Sequence, residues 1–352
     1  MKKLIVIAFC FVICAPGVFA QAAKVNDDPK KANFVTSDID NFWRAFDLAA
    51  KETDRERKIA IYQAEYLDKG SAGLKDFVRM RIKSAKDLTE TVESLPRFYA
   101  SVRANSLRVK EMEKRMRKAF VKFKKIYPEA VFPDVYFVIG ITNTGGTASD
   151  NGLLVGTELY GLTAETPRDE FLEAFRKRAP KDLDEKQLRE RTERLLNIML
   201  KPIENITPLV AHESCHFNQK YSELKTLLAK SVQEGACDFI AEKTAGETLN
   251  LPQKIYGDTH ETELWREFAA QMSGTDHKNW MYNGMTSGER PPDLGYYMGY
   301  KISHAYYKNA KDKRQAIKDI LETKDFNAFL EKSRYREKFP NMQYLPRGKT
   351  FD

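Results

Sequence analysis

The feature that most constrains the fold is a pair of short motifs set close together in the chain. Residues 212–216 read His-Glu-Ser-Cys-His, and after seventeen further residues 234–238 read Glu-Gly-Ala-Cys-Asp. Residues four apart lie on one face of a helix, so each motif would present two polar side chains in the same direction. These are two imidazoles in the first motif and two carboxylates in the second. We therefore expect two helices to lie side by side here.

The flanking sequence predicts a helix for each motif. Thr207 and Pro208 supply an N-cap residue and a proline at the first helical position, and an apolar run continues into the first motif. A second helix is predicted over 223–243, where apolar side chains recur at steps of three and four. A short turn near Lys220 and Tyr221 would make the two helices antiparallel.

The four groups suit a hydrolytic metal site. Zinc takes two neutral imidazoles and one carboxylate and keeps its fourth position open, which predicts His212, His216 and Glu234 as ligands. An ion held in this way lowers the pKa of a water molecule at the open position to roughly 7. Glu213 would accept the proton of that water and pass it to the leaving amine. Asp238 would accept the outer N–H of His212 or His216 and so fix the ring tautomer.

HExxH followed one helix later by ExxxD resembles the gluzincin metallopeptidases, the thermolysin-like clan. The resemblance implies one zinc ion per chain and a peptide or protein substrate. It also implies an α+β, predominantly helical fold, in which a small β-sheet precedes the two motif helices. Roughly residues 130–310 also resemble an uncharacterised bacterial family of predicted zinc-dependent proteases. This likeness rests on the metal motif and four flanking segments, Val135–Ile141, Gly145–Ala148, Leu153–Leu159 and Arg290–Ile302.

In the clan, one edge of the sheet lies along the cleft. An extended substrate could add to that edge by main-chain hydrogen bonds. An ordinary small sheet that only covers helices explains the pattern equally well. The chain has no Gly-Ala-Met-Glu-Asn segment, which argues against the aminopeptidase branch of the clan.

The His and Tyr that stabilise the oxyanion in thermolysin-type enzymes have no alignable counterpart here. A helix predicted over Leu294–Asn309 offers Tyr297 and Tyr300 as candidate hydrogen-bond donors to an oxyanion. Gly295 and Gly299 lie on the other face of this helix and predict close helix packing.

Cys215 and Cys237 are the two cysteines outside the first twenty residues. Each comes three residues after a predicted ligand, so two packed helices could join them in a disulfide, which an extracytoplasmic compartment permits. Two small buried thiols behind the site are the equal alternative.

Residues 1–20 have the composition of a secretory signal peptide. Lys2 and Lys3 precede an apolar run over 4–15, and small residues end the segment at Ala20. The apolar run is too short to span a membrane, so we expect a periplasmic or secreted protein without stable membrane insertion. The rest is predicted to comprise an N-terminal helical region (21–130), a zinc metallopeptidase core (131–310), and C-terminal helices with a tail (311–352).

The net charge of +8 is mild and indicates no particular partner. The helix predicted near 108–127 has a basic face that could touch anionic membrane or nucleic acid. A solvated face over a buried stripe explains it better, and nucleic acid is not expected as a partner of an exported protein. The sequence thus predicts an exported zinc metallopeptidase. The alternatives are a zinc-containing binding or scaffold protein without catalysis, and a zinc amidohydrolase acting on cell-wall material. A purely structural zinc site has no use for Glu213.

Overall fold

A computed structural model describes residues 24–177, 183–284 and 286–340. The predicted signal peptide at 1–20 and the tail from 341 lie outside the described residues. The described chain is mostly helical with small sheets, which confirms the α+β, predominantly helical class. Among the described residues, no helix is both long and apolar enough to cross a lipid bilayer.

The helices are numbered along the chain. Their bounds are α1 Ser37–Ala49, α2 Arg55–Tyr62, α3 Ala72–Phe77, α4 Ala85–Ser94, α5 Pro96–Leu107, α6 Val109–Ile126, α7 Arg168–Arg176, α8 Glu185–Met199, α9 Ile206–His216, α10 Leu227–Ala245, α11 Leu251–Gln271, α12 Leu294–Asn309, α13 Lys313–Glu322 and α14 Phe326–Ser333. Short π-helical segments occupy Gln63–Leu67 and Val78–Ile82, and 3-10 turns occupy Thr157–Tyr160, Ile203–Asn205 and Tyr335–Lys338.

The strands are short. They are β1 Val25–Asn26, β2 Phe34–Val35, β3 Phe132–Pro133, β4 Val135–Val138, β5 Thr147–Ser149 and β6 Gly152–Gly156. The chain divides into two compact units, residues up to 118 with 131–214, and residues 119–130 with those from 215 onward. Helices α6 and α9 contribute residues to both units. The predicted boundaries at 130 and 310 stay a prediction.

The first unit contains a four-stranded sheet in the order β2-β4-β6-β5. Strands β2, β4 and β6 are parallel, and β5 runs antiparallel to β6 at the edge. A tight turn joins β5 to β6. Gly152 has a φ of 141° in this turn, and a methyl group there would lie 2.2 Å from the carbonyl oxygen of Asp134. Only glycine adopts this conformation and this close approach readily.

Buried tyrosines join the helices of the first unit to the end of β4. The ring of Phe42 contacts those of Tyr66 and Tyr99, with centroids 5.3 and 5.8 Å apart. The Tyr66 hydroxyl donates to the carbonyl oxygen of Ile139, and the Tyr99 hydroxyl donates to that of Gly140. These bonds fix the start of the loop that leads from β4 to β5.

The second unit is built around a close contact between α10 and α12. A methyl group on Gly235 would lie 2.0 Å from the backbone nitrogen of Tyr300, and one on Gly299 would lie 1.7 Å from the carbonyl oxygen of Ser231. The two helix backbones therefore touch at these glycines. The predicted helix at Leu294–Asn309 is confirmed residue for residue, and the predicted close packing of its glycine face is confirmed as well.

Candidate metal centre

The two motifs lie on helices whose starts differ from the predicted ones. Helix α9 begins at Ile206, directly after a 3-10 turn, so Thr207 lies inside the helix and does not cap it. Helix α10 begins four residues later than predicted. Its cap is Thr226, whose side chain accepts a hydrogen bond from the backbone nitrogen of Ala229. Tertiary contacts hold the preceding loop, because the backbone nitrogen of Lys220 donates to the carbonyl oxygen of Leu321.

Three side chains converge on one point. Ligand atoms of His212, His216 and Glu234 all lie within 4.8 Å of one another. His216 Nε2 is 3.3 Å from Glu234 Oε2, and the Glu234 side chain is fully buried. A buried carboxylate needs a compensating positive charge nearby. Two imidazole nitrogens and one carboxylate oxygen are a donor set that fits zinc and leaves a fourth position.

Glu213 lies next to the loop that precedes the edge strand β5. A methyl group on Gly146 would lie 3.1 Å from Glu213 Oε1, so the backbone at Gly146 packs directly against this carboxylate. The hydroxyl of Tyr160, a residue of the 3-10 turn after β6, packs against the same loop, 2.8 Å from where a methyl group on Gly145 would be. Burial raises the pKa of Tyr160, and the negative charge of Glu213 adds to the shift. Sequence analysis did not identify Tyr160, since only the tertiary fold brings it to this loop.

A buried carboxyl group, that of Glu158, is hydrogen-bonded to the start of the loop between β4 and β5. Glu158 accepts hydrogen bonds from the backbone nitrogens of Gly140 and Thr142, at 2.9 and 3.0 Å. Burial raises the pKa of Glu158 to about 7, although these bonds favour its charged form. The loop therefore rests on a fixed polar network and not on apolar packing alone.

Asp238 is buried on α10, and its Oδ2 accepts a hydrogen bond from Asn250 Nδ2 at 2.8 Å. The outer nitrogen of His216, Nδ1, lies 2.9 Å from Gln219 Oε1. The structure thus pairs His216 with Gln219, a residue that sequence analysis did not identify. The predicted role of Asp238 as acceptor for the outer N–H of His212 or His216 stays a prediction.

Tyr297 and Tyr300, the predicted oxyanion donors, contact acidic side chains. The Tyr297 hydroxyl donates to Asp258 Oδ1 at 3.1 Å, and the Tyr300 hydroxyl lies 3.0 Å from both carboxylate oxygens of Glu242. These contacts give the oxyanion role no support, and it stays a prediction. Burial raises the pKa of their neighbour Tyr296, and the negative charge of the predicted ligand Glu234 adds to this shift.

Cys215 and Cys237 are both buried and both free thiols in the structure. Burial raises the pKa of Cys237 well above its usual value, and an interaction with the thiol of Cys215 adds to the shift. The Cys237 sulfur also lies 3.5 Å from His216 Nδ1. The structure thus shows the second predicted alternative, two neighbouring buried thiols, and the disulfide stays a prediction.

Comparison with known proteins relates part of the chain to one family. No curated protein and no solved structure shows a significant match to the chain. Residues 195–326, which contain α9 and α10, match the sequence model of a family described as "Predicted Zn-dependent protease (DUF2268)". The part of the chain that carries the three converging ligands is therefore similar to a family of predicted zinc proteases.

Proposed function

We propose that the chain is an exported zinc metallopeptidase of the gluzincin type. In this proposal His212, His216 and Glu234 bind one zinc ion, and Glu213 is the general base. The observation that carries it is the convergence of three buried ligand atoms within 4.8 Å. The match of residues 195–326 to a family of predicted zinc-dependent proteases supports the zinc-protease part of the proposal.

Zinc, when bound, supplies a Lewis acid that acidifies water and polarises a substrate carbonyl. Glu213 follows His212 directly in α9, so the proposed base and the first proposed ligand are neighbours on one helix. The carboxylate of Glu213 accepts one proton from the attacking water and donates it to the leaving amine nitrogen, so the peptide bond breaks without a free amide anion. The backbone of Gly146 packs against Glu213 Oε1 and limits the positions open to this carboxylate.

The predicted addition of the substrate to the sheet edge remains a proposal. Strand β5 is the terminal strand of its sheet, but its three residues are buried. Gly146, just before β5, is partly exposed and contacts Glu213. We therefore place the approach of the substrate main chain at Gly146 and not along the whole of β5.

Substitution of Glu213 tests the proposal. Glu213→Gln removes the base but no ligand, so it should keep one zinc per chain and lower peptide hydrolysis by about 100-fold or more. The readouts are zinc content by atomic emission and cleavage of a diverse peptide mixture by mass spectrometry. Glu204→Gln, the same chemical change at an exposed position before α9, is the matched control and should behave like the unaltered chain.

Other outcomes favour the alternatives. Equal hydrolysis by the Glu213→Gln variant and the unaltered chain would contradict the role of Glu213. Cleavage of cell-wall fragments but of no peptide would indicate an amidohydrolase. Zinc binding without hydrolysis of either substrate would indicate a binding protein.

Export is part of the proposal and rests on the sequence of residues 1–20. When the full chain is expressed in a Gram-negative bacterium, we expect a periplasmic or secreted product whose mass corresponds to cleavage after Ala20. Replacement of the apolar core at 4–15 by polar residues should retain the product in the cytoplasm with its full mass. A full-length cytoplasmic product from the unaltered chain would contradict export.

A further inference from the structure

The loop after α9 contains a polar side chain that contacts the metal centre from behind. Gln219 lies three residues after His216, and its Oε1 is 2.9 Å from His216 Nδ1. We propose that Gln219 is a positioning residue. It holds the imidazole of His216 in the tautomer and orientation in which Nε2 carries no hydrogen and can bind the metal. This inference rests on the proposed zinc site and adds to it a residue outside both motifs.

The orientation of the Gln219 amide follows from its other neighbours. Its nitrogen lies 2.7 Å from the carbonyl oxygen of Gln233, which can only accept a hydrogen bond. The same nitrogen lies 3.4 Å from the Tyr221 hydroxyl. That hydroxyl donates its own hydrogen to the carbonyl oxygen of Ile320 at 2.6 Å, so toward Gln219 it acts as an acceptor. Two acceptors therefore require the NH2 group on this side and the oxygen on the side of His216.

This orientation of the Gln219 amide determines which nitrogen of the His216 ring carries the hydrogen. The Gln219 oxygen has no hydrogen to give, so the hydrogen between the two groups must belong to Nδ1. In a neutral ring Nε2 then carries the free lone pair, and Nε2 is the nitrogen that faces Glu234 Oε2 at 3.3 Å. The Cys237 sulfur, 3.5 Å from Nδ1, is a weaker acceptor and does not replace the amide oxygen.

Gln219 also connects the elements that carry two of the ligands. Its bond to the carbonyl oxygen of Gln233 reaches α10 one residue before Glu234. The side chain that orients His216 is therefore anchored beside the carboxylate ligand. Outer partners of metal-bound histidines typically contribute about 10- to 100-fold to metal affinity, and we expect an effect of that size here.

The test compares three variants of the full chain with the unaltered protein. Gln219→Leu keeps the approximate size but removes the acceptor, whereas Gln219→Glu keeps an acceptor for Nδ1–H. Gln315→Leu makes the same change at an exposed glutamine of α13 and is the control. Zinc affinity is measured by competition with a chelating dye. The hydrogen on His216 Nδ1 is followed by proton–nitrogen NMR of the zinc-loaded protein labelled with 15N-histidine.

We expect Gln219→Leu to bind zinc about 10- to 100-fold more weakly and to lose the hydrogen-bonded Nδ1–H signal. Gln219→Glu should keep the signal, because a carboxylate oxygen still accepts from Nδ1–H, although this variant loses the donor to the carbonyl oxygen of Gln233. Gln315→Leu should match the unaltered chain. Unchanged affinity and signal in Gln219→Leu would overturn the inference. Loss of the Nδ1–H signal in a folded Gln219→Glu variant would also overturn it, because an acceptor would then be present without holding the hydrogen.

Two other results are possible. If Gln219→Leu does not fold, Gln219→Glu decides alone. A retained Nδ1–H signal in that variant supports the inference, and loss of the signal overturns it. If the unaltered chain binds no zinc, the proposed function fails, and the inference fails with it. That result is distinct from a failure of Gln219 alone, in which the unaltered chain binds zinc and the variant binds it equally well.

Discussion

Some side chains near the candidate site hold the neighbouring loop in place by hydrogen bonds to its backbone. Glu158 is the clearest example, because its two carboxylate oxygens accept from backbone nitrogens of the loop that leads to Gly146. The group is fully buried, and burial raises its pKa from 4.5 to about 7. A carboxyl group with a raised pKa in the folded state holds its proton more tightly there than in the unfolded chain.

This shift predicts a pH dependence of stability. The stabilising contribution of Glu158 should be fully present below pH 4.5 and lost as the pH rises through about 7. The loss is on the order of 3 kcal/mol in the free energy of unfolding. Glu158→Gln cannot ionise, so urea unfolding from pH 4 to 8 should show the unaltered chain losing stability relative to this variant. Parallel curves would mean that Glu158 keeps an ordinary pKa, and Glu204→Gln serves as the control.

At the scale of elements, the contact between α10 and α12 fixes where Glu234 lies. Glu234 precedes Gly235, and at Gly235 the backbone of α10 touches the backbone of α12. No side chain intervenes that could change rotamer and let the helices shift. Interiors packed in this way accept added volume poorly.

Gly299→Ala should therefore destabilise the protein. Alanine in a helix is normally favoured over glycine by about 1 kcal/mol, but a methyl group here would lie 1.7 Å from the carbonyl oxygen of Ser231. We expect a net loss of about 1–3 kcal/mol or more in the free energy of unfolding, measured by urea titration. Gly295→Ala should cost less, because the nearest atom is the sulfur of Met281, on a flexible side chain. The reverse order would contradict this account.

Elements with a strong periodic pattern could be predicted from the sequence. The bounds of helix α12 match the prediction residue for residue. The predicted start of α10 was wrong, because tertiary hydrogen bonds hold the loop before this helix in a non-helical conformation. The edge strand β5 was missed, since its three residues follow a glycine pair and carry too short a pattern.

At the scale of the whole molecule, sequence analysis finds residues that recur at helical intervals. It misses residues whose partners are brought near only by the tertiary fold. His212, His216 and Glu234 repeat at helical intervals, and the structure brings their ligand atoms together. Gln219 and Tyr160 lie in a loop and a 3-10 turn, where no period marks them. Their roles depend on partners brought near by folding, such as the carbonyl oxygen of Gln233 or the backbone at Gly145.

The direct contact between α10 and α12 has a thermodynamic consequence for the second unit. The contact that positions Glu234 is made by backbone atoms of Ser231, Gly235, Gly299 and Tyr300, and none of these residues is a predicted metal ligand. In the proposed zinc site, the conformational entropy of the Glu234 carboxylate is lost when the helices pack, so the ion would meet a donor that is already fixed. A small zinc finger behaves in the opposite way, since its chain becomes ordered only around the metal.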